Sequence, residues 1–230
     1  MNLTEAIKER HSVRRYSDRP LSAEVTEQLQ HKIDELAQVG DLNMQLVVGE
    51  KRAFAGLNSY GAFHGVENYL VIAGRKAGDL DERVGYFGEA FVLYAQTLGL
   101  NTCWVGLTYR KQGRQYALAE NEKIVCVITV GYGVTPGHGH KVKRVDQVSN
   151  ATETSPLWFR RGVEAALLAP TAVNQQKFYF ELVDRPEGEK PLVRAKRGFS
   201  WIGYTRVDLG IACLHFELAA GKENFEWDRA

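Results

Sequence analysis

Neither sign of charge prevails in this chain: 29 Lys and Arg stand against 28 Asp and Glu in 230 residues. That balance excludes a generally basic, nucleic-acid-binding surface. Long apolar runs are lacking too. None approaches the roughly 20 residues that span a bilayer, and segment 1–9 is charged and amphipathic rather than a signal peptide. Cysteine is scarce. Cys103, Cys126 and Cys213 are far apart, odd in number and set in apolar surroundings, which excludes a disulfide framework and fits reduced thiols. No His or basic residue is adjacent to any of them, so nothing marks an activated thiol. The expectation is a soluble cytoplasmic protein with neither a membrane nor a nucleic-acid partner.

What is present is enough apolar residue, 44% of the chain, to bury a sizeable core. Asn2 or Thr4 is placed to cap a short helix through Arg10, and Ser22 to cap the next. Val25, Leu29, Ile33 and Leu36 give that second helix one apolar stripe, and Gly40 and Asp41 end it. Residues 46–48 and 69–73 read as strands. Val84, Phe87, Phe91, Ala95 and Leu98 mark a long buried helix, with Gly99 placed to end it in a left-handed conformation. Residues 124–130 form a buried strand. The pattern then starts again: Ser155 as N-cap with Pro156 at the first helical position, a helix broken by Pro170, a strand over 178–183, and an apolar helix over 207–220 ended by Gly221.

The two runs can be laid on each other, with the segment 84–90 answering 206–212 and Gly99 answering Gly221. This suggests an internal duplication, with residues 1–150 as one repeat and 151–230 as the other, folded as one structural unit. A two-fold dimer builds two equivalent sites across its interface; a fused and diverged version can keep one of them. The sequence has that asymmetry. Arg10-His11-Ser12-Val13-Arg14 occurs only in the first half. Pro170-Thr171-Ala172-Val173-Asn174 occurs only in the second.

The first motif has the chemistry of a phosphate grip. Guanidinium groups offer forked donors to phosphate oxygens and a hydroxyl adds another. In an extended segment Arg10, Ser12 and Arg14 point to one side, because the side-chain period is two. The second motif is a compact turn with hydroxyl, amide and backbone groups suited to the edge of a planar heterocycle. Two basic clusters stand apart from acids: Lys141, Lys143 and Arg144, and the five cations between Lys190 and Arg206. Either is a solvated face or a seat for an anion. His138 and His140 have a spacing that can ligate metal, but a Gly-rich turn surrounds them without an acidic or Cys partner, so no metal is expected. Gly131-Tyr132-Gly133 lacks the third glycine and the helix of a dinucleotide fingerprint. Trp201, beside the second basic cluster, is a candidate for an entrance wall.

The segment Ala6-Ile7-Lys8-Glu9-Arg10-His11-Ser12-Val13-Arg14-Arg15-Tyr16 resembles the opening of the FMN-dependent nitroreductase family. Residues 168–176, Leu-Ala-Pro-Thr-Ala-Val-Asn-Gln-Gln, resemble that family's flavin-ring turn. Residues 99–106 resemble its loop at the flavin edge, and 131–143 its closing phosphate segment. The resemblance is nearest to nitroreductases whose single subunit mimics the family dimer. It implies an α+β nitroreductase-like fold with a mixed or antiparallel sheet flanked by helices. It also implies residue roles: Arg10, His11 (through its backbone) and Ser12 at the FMN phosphate and ribityl chain, Arg14 near the flavin, and Lys141 and Lys143 completing the phosphate site. Pro170, Thr171 and Asn174 would approach the ring, and the backbone of Val105 and Gly106 would face its reactive edge. The family turn usually continues Asn-x-Gln-Pro; here Gln176 is followed by Lys177.

The activity so implied is oxidoreduction: NADH or NADPH gives a hydride to FMN, and an electron-poor small molecule such as a nitroaromatic or a quinone is then reduced at the same face, in ping-pong order. No side chain then serves as nucleophile or metal ligand, because the flavin carries the chemistry. The alternative is a carrier or sensor that binds FMN without turnover. A fused pseudo-dimer is expected as a monomer or a homodimer.

Overall fold

The computed structural model describes residues 1–54, 63–106, 116–183, 185, 186 and 188–228. Helix α1 (Leu3–Glu9) begins with a capping box. The Glu5 N–H donates to Asn2 Oδ1 and the Asn2 N–H donates to Glu5 Oε2, both at 2.8 Å, which satisfies two donors that the first turn leaves open. Helix α2 (Ala23–Gly40) is capped by Ser22 and ends on Asp41 in the left-handed region. Strand β1 (Asn43–Val47) follows, starting three residues before its apolar triplet predicts and ending one residue before.

Strands β1, β2 (Tyr69–Arg75), β3 (Asn101–Val105) and β4 (Glu122–Gly131) form a sheet in the order β1-β2-β4-β3, antiparallel throughout. Helix α3 (Leu80–Thr97) lies between β2 and β3, and Gly99 just beyond it takes φ +75°. In the second half, α4 (Leu157–Leu167) leads to β5 (Phe178–Val183), β6 (Leu192–Arg197), α5 (Thr205–Ala220) and β7 (Glu226–Asp228). β5 and β6 are antiparallel, while β6 and β7 are parallel. Two expectations need correction here. Ser155 does not cap α4: Pro156 holds the N-cap position, and the Ser155 hydroxyl accepts from the Thr152 N–H instead. Segment 99–106, read as a loop, contains a strand, because Thr102, Cys103 and Val105 are buried against β4.

One main core draws on both segments of the chain, from Leu29, Ile33, Leu70 and Phe91 to Phe159, Phe180 and Phe216. Its centre is the crossing of α3 and α5. A Cβ on Gly85 would lie 2.1 Å from the Val207 carbonyl oxygen, and one on Gly210 would lie 2.0 Å from that of Glu82. The contacts are reciprocal. Gly85 faces Val207 and Ile211, while Gly210 faces Glu82 and Tyr86. The two backbones therefore touch at a point where no side chain fits. The reciprocity relates Gly85 to Gly210, whereas the sequence alignment sets Gly88 against Gly210.

A buried polar seam runs beside this crossing. Gly88 leaves room for the Trp104 indole, whose Nε1–H donates to Glu89 Oε2 at 2.8 Å. Glu89 Oε1 lies 2.9 Å from His215 Nε2, and His215 Nδ1 bonds the Ala165 carbonyl of α4 at 3.1 Å. A carbonyl only accepts, so Nδ1 is the donor in that bond. Both side chains are fully buried, so α3, α4 and α5 are joined by a satisfied network. Gly85→Ala and Gly210→Ala should each cost about 3 kcal/mol, since neither helix can yield without moving the other. Urea unfolding checks this against Gly78→Ala, whose added Cβ meets open space; equal midpoints for all three variants would refute the crossing as a constraint.

Candidate functional site

The N-terminal motif leaves α1 at Arg10, which is the C-cap residue in extended conformation. Ala6 and Ile7 hold α1 against Leu93 of α3, Ala165 of α4 and Leu214 of α5. The motif then runs along β3: Ser12 forms a parallel bridge with Thr102, and the Val13 N–H donates to the Thr102 carbonyl. Val13 and Tyr16 point into the core, while Arg14 is exposed. Arg10 is only 5% exposed, and its Nε is buried without a hydrogen-bond partner. Burial pulls its pKa down, opposed mainly by the charge of Glu89, yet an arginine stays charged. A buried cation with an unmet donor is costly unless an anion arrives.

Segment 137–143 lies next. His11 packs against Gly137 and Gly139, and burial, then the Arg10 guanidinium, hold the His11 imidazole below its ordinary value. His140 donates from Nε2 to the Leu167 carbonyl at 3.0 Å, so that nitrogen is not free for a metal. Among the described residues no group of three His, Cys, Asp or Glu side chains is arranged to hold one.

The far side of this segment is clasped to the second motif. Asn174 Nδ2 and Gln176 Nε2 both donate to the Lys141 carbonyl at 2.8 Å. Gln176 Nε2 also donates to Asn174 Oδ1, and Gln176 Oε1 accepts from the Lys143 N–H. The Lys143 ammonium donates to the carbonyls of Gln175 and Gln176 at 3.0 and 2.8 Å. The expected role of Lys143 as a phosphate ligand therefore meets a side chain already engaged in holding the turn. Lys141 is exposed, with no acid in ion-pair range among the described residues.

The turn itself is tightly wound. Pro170 is buried, the Thr171 hydroxyl accepts from the Gln176 N–H at 3.1 Å, and Val173, Asn174 and Gln176 all take positive φ. Val173 stands at φ 46°, ψ 28°, an outlier for a β-branched residue of the kind that persists where surroundings over-determine it. What over-determines it is Asp208 of α5. Its carboxylate accepts from the Ala172 N–H at 2.9 Å and from Gln175 Nε2 at 2.6 Å. Gln175 Nε2 also donates to the Gly203 carbonyl. Next to Gly203, the Tyr204 ring lies against Gly106, where a Cβ would meet it at 2.6 Å. Val105 is buried at the end of β3.

Of the site residues expected from sequence, Gly106, the 170–174 turn, Lys141 and the Arg10–Ser12 segment lie along one run of contacts, joined through Tyr204, Gln175 and segment 137–140. Sequence reasoning passed over Tyr204, Gln176 and Asp208. Asp208 did leave a signal, as the one acid within the apolar run 207–216 of α5.

The fold and this arrangement define an α+β protein of the nitroreductase type. Residues 2–220 match the family described as "Putative TM nitroreductase", and the chain belongs to that family. A "putative nitroreductase" from Thermotoga maritima shares the fold at 24% identity, covering 97% of this chain and 85% of that one with a TM-score of 0.63. A "putative nitroreductase in complex with FMN" from Desulfovibrio desulfuricans is 17% identical over 68% of this chain and 99% of its own, TM-score 0.53. A nitroreductase family protein from Streptococcus pneumoniae is 12% identical over 66% and 100%, TM-score 0.52. No curated protein matches the sequence significantly. Among the described residues no helix is long and apolar enough to cross a membrane.

Burial pushes the Asp208 carboxyl up to about 6 from an ordinary 3.8, against the pull of its two hydrogen bonds. The folded protein then keeps a proton that the unfolded chain has released. Stability from this group falls as pH rises from about 4 to about 6 and stays lower above, by up to about 3 kcal/mol. Urea midpoints at pH 4.5, 5.5 and 7 should show that slope in the native protein and a flatter one in Asp208→Asn. Parallel profiles would contradict the assignment.

Proposed function

We propose that the chain is an FMN-dependent oxidoreductase that takes reducing equivalents from NADH or NADPH and passes them to electron-poor acceptors such as nitroaromatics or quinones. The observation that carries this reading is the Arg10 guanidinium, buried beside Ser12 and His11 with an unmet Nε donor. A phosphate would meet that donor and offset the charge. Arg14 and Lys141, neither ion-paired among the described residues, are the cations left to join it. Lys143 contributes by holding the turn. Pro170, Thr171 and Asn174 would lie against the ring, and the Val105 and Gly106 backbone at its edge. When bound, FMN would supply a ring that accepts and returns a hydride.

The chain's own part is to bind, orient and shield. The clasp built on Asp208, Gln176 and Lys143 fixes the turn before any ligand arrives, so less ordering is left to pay on binding. Cations and backbone donors set around the site favour negative charge there by preorganised electrostatics. The reciprocal Gly85–Gly210 crossing supports reading the two halves as a fused, diverged pseudo-dimer with one FMN site per chain. Such a chain holds its site as a monomer and is free to form a homodimer, and its partners are small molecules, the nicotinamide donor and the acceptor.

The purified protein should be yellow, with at most one FMN per chain, and anaerobic NADH or NADPH should bleach the flavin absorbance. Arg10→Met should weaken FMN binding at least about tenfold while raising the melting temperature of the flavin-free protein, because an unpaired buried charge is removed. A purely structural Arg10 would give the opposite sign for stability. Unchanged flavin affinity in that variant would overturn the site. Flavin that binds but is never reduced by either nicotinamide would favour the carrier reading.

A further inference from the structure

The stretch from Lys190 to Arg206 holds five cations and no acid, but most of those charges are engaged. Arg194 pairs with Asp228 and Glu181, and Lys196 with Glu181. Lys190 donates to the Lys222 carbonyl and Arg206 to that of Gly78. Among the described residues Arg197 alone of these five cations has no such partner. Lys177, the residue that stands where the family turn usually has proline, is exposed and likewise has no acid in ion-pair range among the described residues.

β5 and β6 form an antiparallel ribbon with Phe178 opposite Arg197, and the Gly198 N–H donates to the Lys177 carbonyl at 2.6 Å. Side chains alternate between the faces of a strand. Arg197 therefore leaves the end of the ribbon on one face and Lys177 on the other. Between them the chain runs out into the loop 198–204, which exposes three large apolar side chains within four residues: Phe199 is 69% exposed, Trp201 94% and Ile202 51%. The Phe199 and Trp201 rings stand edge to face with centroids 5.0 Å apart. Among the described residues no other Phe or Trp is exposed. The loop is thus an apolar tip with an unpaired cation at its base on either side, and such a patch left in water marks a binding surface.

We propose that this loop docks the protein on an anionic lipid surface. An indole suits the boundary between water and lipid, because it has an apolar body and one polar N–H. Phe199 and Ile202 enter the acyl edge beside Trp201, while Arg197 and Lys177 meet lipid phosphates on the two flanks. Three side chains on one turn are far from the roughly 1,000 Å² that a stable protein partner covers. Cations on both sides of an apolar tip match a layer of negative headgroups around it, and a neutral bilayer would leave both charges unmet. The expectation of no membrane partner rested on the lack of a spanning segment, and docking on a surface needs none. The loop is also tied to the candidate site, since Gln175 Nε2 donates to the Gly203 carbonyl and the Tyr204 ring lies on Gly106. Docking therefore brings that site close to the lipid. The inference goes beyond the reductase reading and stands without it.

The test is sedimentation of the full chain, as purified, with vesicles of phosphatidylcholine alone or of phosphatidylcholine and phosphatidylglycerol in equal parts, with tryptophan emission read alongside. The native protein should bind the anionic vesicles at least about tenfold more tightly than the neutral ones, lose that preference as salt screens it, and shift its emission to the blue. Trp201→Ala should weaken binding about tenfold and remove the blue shift. The double variant Lys177→Gln/Arg197→Gln should abolish the preference for anionic lipid, with melting temperature and flavin content unchanged in both variants. No binding to anionic vesicles, equal binding to both kinds, or binding indifferent to both variants overturns the proposal. So does a dimer that Trp201→Ala dissolves in a protein that ignores vesicles, which would make the loop a contact between two copies of this chain. A colourless protein that docks through these residues would uphold the docking surface while refuting the flavin reading, and a yellow one that never docks would do the reverse.

Discussion

The backbone contact between α3 and α5 is the constraint on which the rest hangs. Two helices approach so closely at Gly85 and Gly210 that each glycine faces the other helix's carbonyl oxygen. That contact fixes where the two halves of the chain meet. Asp208 lies two residues before Gly210 on the same helix, so the crossing also fixes the carboxylate that pins the 170–176 turn. Glu89 lies four residues after Gly85, and its partnership with His215 locks the helices against sliding. Helix α1 rests on both helices and on α4, and so delivers Arg10 from the opposite side.

Within that frame the candidate site is assembled at a cost in stability. Arg10 is buried without meeting all its donors, Asp208 is a carboxyl forced into low-dielectric surroundings, and Val173 sits in a backbone region its branched side chain disfavours. The turn that carries Val173 is held by hydrogen bonds involving Asp208, Gln176 and Lys143. Backbone strain and an unmet buried donor on the residues of one candidate site are the features that mark a place for a ligand. The same logic separates Lys143 from Lys141. Both are cations on one short segment, but one is consumed by the carbonyls of a tightly wound turn and the other is left free.

Much of the local structure was legible from residue order. The capping of α1 and α2, the apolar stripe of α2, the buried character of α3 and α5 and the limits of β5 all follow from side-chain pattern and caps. The strands that sequence missed share a physical reason. β6 reads Leu-Val-Arg-Ala-Lys-Arg, and it is a strand because Arg194 and Lys196 find acids on neighbouring strands rather than because of any apolar run. β7 is three residues long and exists by pairing in parallel with β6. Ser155 shows the reverse case, a residue with the right chemistry for a cap whose hydroxyl was taken by the Thr152 N–H.

The sequence by itself determined which short segments are candidates for binding, because Arg10, Ser12, Thr171 and Asn174 owe their donors and acceptors to side-chain identity. Pro170 and the capping residues likewise fixed where helices start and stop, since those preferences act within a few residues. Tertiary structure alone decided that residues about 160 positions apart flank one segment, that Lys143 serves the turn, and that Arg197 differs from its four basic neighbours. Those outcomes depend on which backbone carbonyl or carboxylate arrives within about 3 Å, and that is set by how helices and strands pack, not by the residue's own chemistry.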